Sequence, residues 1–238
     1  MAKGGLKLVV FDFDQTLSVY HVFKALAGWR LDNKGAFVVP PPYATSERGQ
    51  LRRILELNGA EFEEAGGFAR AAFGSESRIE QLRKCIRELK DSGSEVIVCT
   101  KGLVGVARKC LSDLELLVYF DEVYGNIGDS YGMQQYDRQT EADDLGEATK
   151  FLGCPEQADF GSKDSLIAQL IQQKKLYKNQ CVLVEDDEKE IQRADGVCRT
   201  LFVREAQGMT DQHMATLLGM AGEQSSDVRS RKSNCTVQ

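Results

Sequence analysis

The stretch "VVFDFDQTLS", residues 9–18, places Asp12 and Asp14 two positions apart just after the apolar run Leu8–Phe11, with Thr16 following. A short continuous apolar run suits a strand covered on both faces. Two carboxylates so close in space repel each other unless a cation sits between them or one keeps its proton. A hard divalent cation with oxygen ligands, Mg²⁺ above all, resolves that repulsion. In isolation, a pair of turn or helix-capping aspartates would read the same way.

Three further runs resemble the first: "EVIVC" (95–99), "CVLVE" (181–185) and "RTLFV" (199–203). Helical patterns lie between them. In "SRIEQLRKCIRELKDSG" (77–93), Ile79, Leu82, Ile86 and Leu89 line one face, Ser77 and Glu80 have capping-box spacing, and Gly93 supplies the stop. Helices are also expected over 103–117, 163–175, 187–194 and 210–223. Strands alternating with helices predict an α/β fold, a Rossmann-like parallel sheet with helices on both faces. Ligands of such sheets sit beyond the carboxyl ends of the strands.

Two stretches break the alternation. Residues 19–75 hold the proline-rich "VVPPPYATSERG", a helical pattern near 46–58 and the small-residue run "AGGFARAAFGS", which together predict a small inserted helical lobe. Residues 125–160 contain "GNIGDSYG", read as turns with a short hairpin, and "TEADDLGEATKFLG", read as a weak helix. The domain reading is a discontinuous core of 1–18 and 76–222, an insertion over 19–75 and a disordered tail over 223–238, where little is offered to a core.

The formal net charge of −6 opposes a general role in nucleic-acid binding, which needs clustered Lys and Arg. The beginning of the chain lacks the apolar region of a secretory signal, and no apolar run is long enough to span a membrane, so a cytoplasmic protein is expected. Seven cysteines without CxxC spacing read as reduced thiols rather than disulfides or zinc ligands.

Three more segments bring chemistry to strand ends. "VIVCTKG" delivers Thr100 and the backbone of Lys101 and Gly102, a hydroxyl and amides suited to an anion, although Thr is also a common helix cap. "GSKDSLI" puts Lys163 at a helix start, where a cation is unfavourable for the helix dipole and so suggests another use. "VLVEDDEKEI" delivers Glu185, Asp186 and Asp187 to the end of a strand expected beside the first, with Glu190 shortly after; a charge run of this kind is otherwise a solvated face.

In this order, with "DFDQTLS" the most specific of them, the four segments resemble the haloacid dehalogenase superfamily of phosphohydrolases and phosphotransferases, over roughly residues 7–205 without the irregular stretches. "YFDEVYG" and "RADGV" are similar to flanking segments of that family. The resemblance implies a Mg²⁺-dependent phosphatase acting on a small phosphorylated substrate. Asp12 would be the nucleophile, forming an aspartyl-phosphate, and Asp14 the general acid and base, with its backbone carbonyl on the metal. Thr100, Lys101, Gly102 and Lys163 would hold the phosphoryl oxygens, and Asp186 would complete the metal ligands with Asp12 and Asp14. Thr16, Glu185 and Glu190 would stand one step further out. Glu185 departs from the family pattern, where glycine or aspartate is frequent, and Glu190 is one methylene longer than the frequent aspartate. A phosphotransferase or phosphomutase, and a non-catalytic regulatory module, remain alternatives.

The insertion at 19–75 falls where that family places a cap over the reacting centre. Within it Tyr20, His21, Trp29, Arg30, Tyr43, Arg48, Arg52 and Arg53 could meet a leaving group, with packing or solvation the simpler reading of each, and the expected mechanism needs neither His21 nor His213. The terminal "CTVQ" fits a prenylation pattern on Cys235, with Arg229, Arg231 and Lys232 upstream; only with that lipid would a membrane be a partner.

Overall fold

The computed structural model describes residues 5–29, 37–59, 61–154 and 161–222. Among the described residues five strands form one sheet: β1 (Leu8–Phe11), β2 (Glu95–Leu103), β3 (Glu122–Asn126), β4 (Cys181–Glu185) and β5 (Arg199–Phe202). Their order is β3-β2-β1-β4-β5, and every pairing is parallel. After β1 the chain builds outward on one side through β2 and β3, then returns to lay β4 and β5 on the other. The reversal beside β1 opens a crevice at the carboxyl ends of β1 and β4, the switch point where such sheets bind ligands.

The apolar runs are explained by burial on both faces. Leu8, Val10, Ile97, Cys99, Cys181 and Leu183 pack on one side against Leu166, Ile167 and Leu170 of α7 (Lys163–Gln173) and Ala194 of α8 (Glu188–Ala194). Val9, Phe11, Val96, Val98, Val182 and Val184 pack on the other, in one cluster with α4 (Glu76–Asp91), α5 (Val104–Asp113) and α9 (Asp211–Gly222). Each fully buried aliphatic side chain contributes about 1.5–3 kcal/mol, which makes this two-sided core the main force holding the sheet.

Residues 19–75 add α1 (Val22–Ala27), α2 (Glu47–Asn58) and α3 (Phe68–Phe73), whose Leu26, Leu51, Ile54 and Phe68 join the second cluster. The buried Glu47 fastens α2 to its neighbours: its carboxylate accepts from the backbone amides of Gly105 (2.7 Å), Gly153 (3.1 Å) and Gly128 (3.2 Å). Asp137, in the one-turn helix α6 (Gln135–Arg138), does the same from the other side, accepting from the Thr45 and Ser46 amides and hydroxyls and from the Gln134 amide.

Several local expectations change. The cap of α4 is Ser75, which accepts from the Arg78 amide, rather than Ser77; Gly93 (φ +82°) ends the turn that follows the helix. β3 lies where no apolar run announces a strand. Residues 127–134 form turns without a second strand, so no hairpin is made there. The weak helix over 140–153 is a pair of 3₁₀ segments within Ala142–Phe151, broken where Gly146 takes φ +48°. No described helix is long and apolar enough to cross a membrane. The expected tail with Cys235, and Arg30 in the insertion, lie outside the described residues. Cys85, Cys99, Cys110, Cys181 and Cys198 are free thiols.

Candidate active site

β1 ends at Phe11, and Asp12 follows in extended conformation with its amide on the Val184 carbonyl (2.9 Å). The chain then turns tightly through residues 13–17. Gln15 takes the left-handed conformation there (φ +60°), one that costs a non-glycine residue about 1 kcal/mol or more and needs surrounding support. Arg78 supplies it: the half-buried guanidinium donates to the carbonyls of Leu17 (2.9 Å) and Phe73 (2.8 Å), and its second amino group to that of Thr16 (3.4 Å). Burial pushes its pKa down to about 10, still protonated at neutral pH.

The turn delivers both aspartates to one cavity of about 380 Å³, whose lining includes Asp12, Asp14, Thr100, Lys101, Gly102, Lys163, Glu185, Asp186 and Glu190. Of the residues expected to act on phosphate and metal or to support them, Thr16 is absent from the wall; it lies beneath it, its hydroxyl donating to Asp186 Oδ1 at 3.4 Å. Four segments far apart in sequence, at residues 12–14, 100–102, 163 and 185–190, thus converge at the switch point.

Lys163 opens α7 after the Ser162 cap and is 2% exposed. Its ammonium donates to Asp12 Oδ1 and to Glu185 Oε2, both at 2.5 Å. The two carboxylates hold the lysine charged, raising its pKa against the opposing effect of burial. Burial pushes the acids up, Asp12 to about 6 and Glu185 to about 8, with Lys163 offsetting only part of it. One ammonium between two buried carboxylates leaves an excess of negative charge, and Asp186 adds to it.

Asp12, Glu185 and Asp186 each offer an oxygen within 4.8 Å of the others. This is an all-oxygen donor set of a kind that suits a hard divalent cation. Glu185, placed by the sequence one step outside the ligands, is a member of the cluster, and its Oε1 accepts from the Asp186 (3.2 Å) and Asp187 (3.1 Å) amides. The Asp14 carboxylate stands apart. It accepts from the Phe23 amide (3.3 Å), and His21 Nδ1 lies 3.2 Å away, off the line of a hydrogen bond.

The strand end at Thr100 differs from the expectation of free amides at a helix start. β2 continues to Leu103, α5 begins only at Val104, and the Gly102 amide donates to Thr100 Oγ1 (2.9 Å). Lys101 reaches across to Glu190 Oε1 (2.7 Å), which Arg193 also meets at 2.7 Å; Glu190 Oε2 is buried without a partner. Of the residues weighed in the insertion, His21 and Trp29 line the cavity. Tyr20 stacks on Phe37, Tyr43 packs against Gly28, Arg52 and Arg53 pair with Glu56, and Arg48 lines a separate cavity. Sequence reasoning missed Lys24 and Tyr131 in the wall and Arg78 beneath the turn.

The parallel sheet, the acidic turn after β1 and the lysine–carboxylate cluster at the switch point define a haloacid dehalogenase-like fold. The HAD domain of the effector protein Lem4 from Legionella pneumophila, as an inactive mutant, superposes with a TM-score of 0.52 at 10% identity, covering 97% of this chain and 100% of that one. A haloacid dehalogenase-like hydrolase from Streptococcus pneumoniae gives 0.42 at 16% identity, covering 89% and 90%. The phosphatase-containing N-terminal part of a Bacteroides fragilis protein, complexed with Mg, gives 0.48 at 12%, covering 90% of this chain and 41% of that one. No protein-family model matches the sequence, and no curated protein matches it. The likeness is therefore one of fold.

Proposed function

We propose that this chain is a Mg²⁺-dependent phosphatase that hydrolyses a small phosphomonoester through an aspartyl-phosphate on Asp12. The observation that carries the reading is the meeting of Asp12, Lys163, Glu185 and Asp186 in one cavity that Asp14 and Thr100 also line. Buried carboxylates gathered at such expense of solvation have no structural reason to crowd; a cation and an anionic ester give them one.

Asp12 and Asp186 would hold Mg²⁺, with the main-chain carbonyl of Asp14 and with Glu185 directly or through water. When bound, the ion neutralises charge on the transferring phosphoryl group. An Asp12 carboxylate oxygen attacks phosphorus as the bond to the leaving oxygen breaks, and Asp14 gives that oxygen its proton. Asp14 then takes a proton from water, whose oxygen attacks phosphorus and releases inorganic phosphate from Asp12. Lys163 fixes the Asp12 carboxylate and, with the Thr100 hydroxyl, stabilises the charge on the phosphoryl oxygens. The Phe23 amide holds the Asp14 side chain in place.

The test is hydrolysis of an aryl phosphate with Mg²⁺, with EDTA, and by Asp12→Asn. Phosphate release in the first sample alone is expected. Full activity of Asp12→Asn would remove the mechanism, and product analysis in the presence of a sugar acceptor separates hydrolysis from transfer.

A further inference from the structure

The cavity has two chemically different ends. Its floor is the charged cluster around Asp12; its mouth carries Phe23, Trp29 and Tyr131. The Phe23 ring lies 5.0 Å from that of Trp29, edge to face, and 4.3 Å from that of Tyr131, with Trp29 and Tyr131 6.1 Å apart. Packing accounts for Phe23, which is 4% exposed. It leaves uncovered the other two, at 44% and 37% exposed, both in the cavity wall.

The backbone that leads into Trp29 and the ring of Tyr131 are held where they are. Trp29 follows Gly28, whose φ of +68° and missing Cβ admit the Tyr43 ring, 2.4 Å from where a Cβ would stand. The Tyr131 hydroxyl donates to the Lys101 carbonyl and accepts from Asn126 Nδ2 (2.9 Å). Rings fixed in advance lose little conformational entropy when a ligand covers them. The charge on the wall narrows the choice of ligand. Six carboxylates line the cavity against the ammonium groups of Lys24, Lys101 and Lys163, so a leaving group with its own carboxylate or phosphate is repelled. Lys24, on α1 next to Phe23, opposes a cationic one.

We infer that the mouth selects phosphomonoesters whose leaving group carries an uncharged planar ring, a preference that rests on the phosphatase reading of the floor. The ring of the leaving group packs against Trp29 and Tyr131 while its phosphate reaches Asp12.

Benzyl phosphate, methyl phosphate, phosphoserine and phosphocholine all release an alcohol, so their comparison is not governed by phenolate leaving ability. Benzyl phosphate is expected to exceed methyl phosphate in kcat/KM by about tenfold or more, the scale of an aromatic contact plus area burial. Trp29→Ala is expected to collapse that ratio towards one. Equal rates for the two esters, preference for phosphoserine or phosphocholine, or a ratio that survives Trp29→Ala would overturn the inference. Trp29 is the sole tryptophan, so its fluorescence reads the mouth without turnover. With Mg²⁺ present, benzylphosphonate should change it saturably and methylphosphonate should not. That result with no hydrolysis of any ester would sink the phosphatase reading alone; no saturable change with benzylphosphonate would sink the ring preference.

Discussion

The Lys163 ammonium meets Asp12 Oδ1 at 2.5 Å across 151 residues of chain, and a second carboxylate, Glu185, lies on it at the same distance. Removing the ammonium strands two buried acids. Lys163→Met should lower stability by about 3–5 kcal/mol, the usual cost of an orphaned buried charge, read from urea denaturation. The same variant should lose about 10²–10³ in turnover, as when one charge-stabilising donor is deleted. Lys163→Arg should not restore activity, because the planar fork cannot occupy the point between two carboxylates that an ammonium fills. Wild-type stability in Lys163→Met would show that the pair contributes nothing to the fold.

Asp14 separates from the acidic cluster and points to the Phe23 amide and His21. As acid and base it should matter to rate more than to the fold. Asp14→Asn keeps an oxygen for the Phe23 amide and loses the proton, so phosphatase turnover should fall by about 10²–10⁴ with little change in melting temperature. A parallel loss of stability would mark Asp14 as a structural residue instead.

The parts of this architecture legible in sequence are those where one residue type has few uses. Leu8–Phe11 and Cys181–Glu185 read as strands because both faces are covered, and their acidic ends drew notice because charge rarely follows such burial. β3 escaped because among its five residues only Val123 is buried, so no apolar run forms. His21, Lys24 and Tyr131 sit on segments whose path is set by tertiary contacts such as those of Glu47 and Asp137. Arg78 reads as a surface residue of an amphipathic helix, and nothing local shows that three carbonyls wait beside it. That the Glu185 carboxylate joins Asp12 and Asp186 while the Asp14 carboxylate turns to the Phe23 amide depends on side-chain direction, which spacing does not carry.

Glu47 joins α2 to backbone amides at Gly105, Gly128 and Gly153. Glu47→Ala leaves these donors short of partners, each costing about 1–3 kcal/mol if water cannot reach it. A loss of several kcal/mol is expected, with faster amide hydrogen exchange at those three positions. Gly105→Ala should act on the same contact from the other side, since its Cβ would stand 2.7 Å from Glu47 Oε1.

Asp137 provides an acid-sensitive joint. Burial alone would raise its pKa; hydrogen bonds from Thr45, Gln134 and Ser46 outweigh burial and hold it below the usual aspartate value of 3.8. A depressed pKa in the fold contributes stability above the unfolded value, lost as pH falls through the folded one. Wild-type protein should therefore loosen between α2 and α6 below about pH 4. Asp137→Asn should lose that share of the acid dependence and be less stable at neutral pH, which denaturation across pH 3–7 measures.

The acidic cluster predicts the opposite slope at higher pH. Asp12 is raised from 3.8 to about 6 and Glu185 from 4.5 to about 8, burial being the main cause for each. A carboxylate with a raised folded pKa gives stability that is full below its unfolded value and is lost as pH climbs through the folded one. Metal-free protein in EDTA should thus melt lower at pH 8 than at pH 5. Glu185→Gln should flatten the part of that fall between about pH 6 and 8, because its amide has no proton to lose. Mg²⁺ binds the ionised acids, so its stabilisation should grow with pH over the same range, by about 2.7 kcal/mol when the ion stands at a hundred times its dissociation constant. Asp186→Asn should abolish most of that gain. A melting temperature in EDTA that rises from pH 6 to 8, with no response to Mg²⁺, would mean that the three carboxylates share neither repulsion nor a cation, and the proposed chemistry would lose its physical basis.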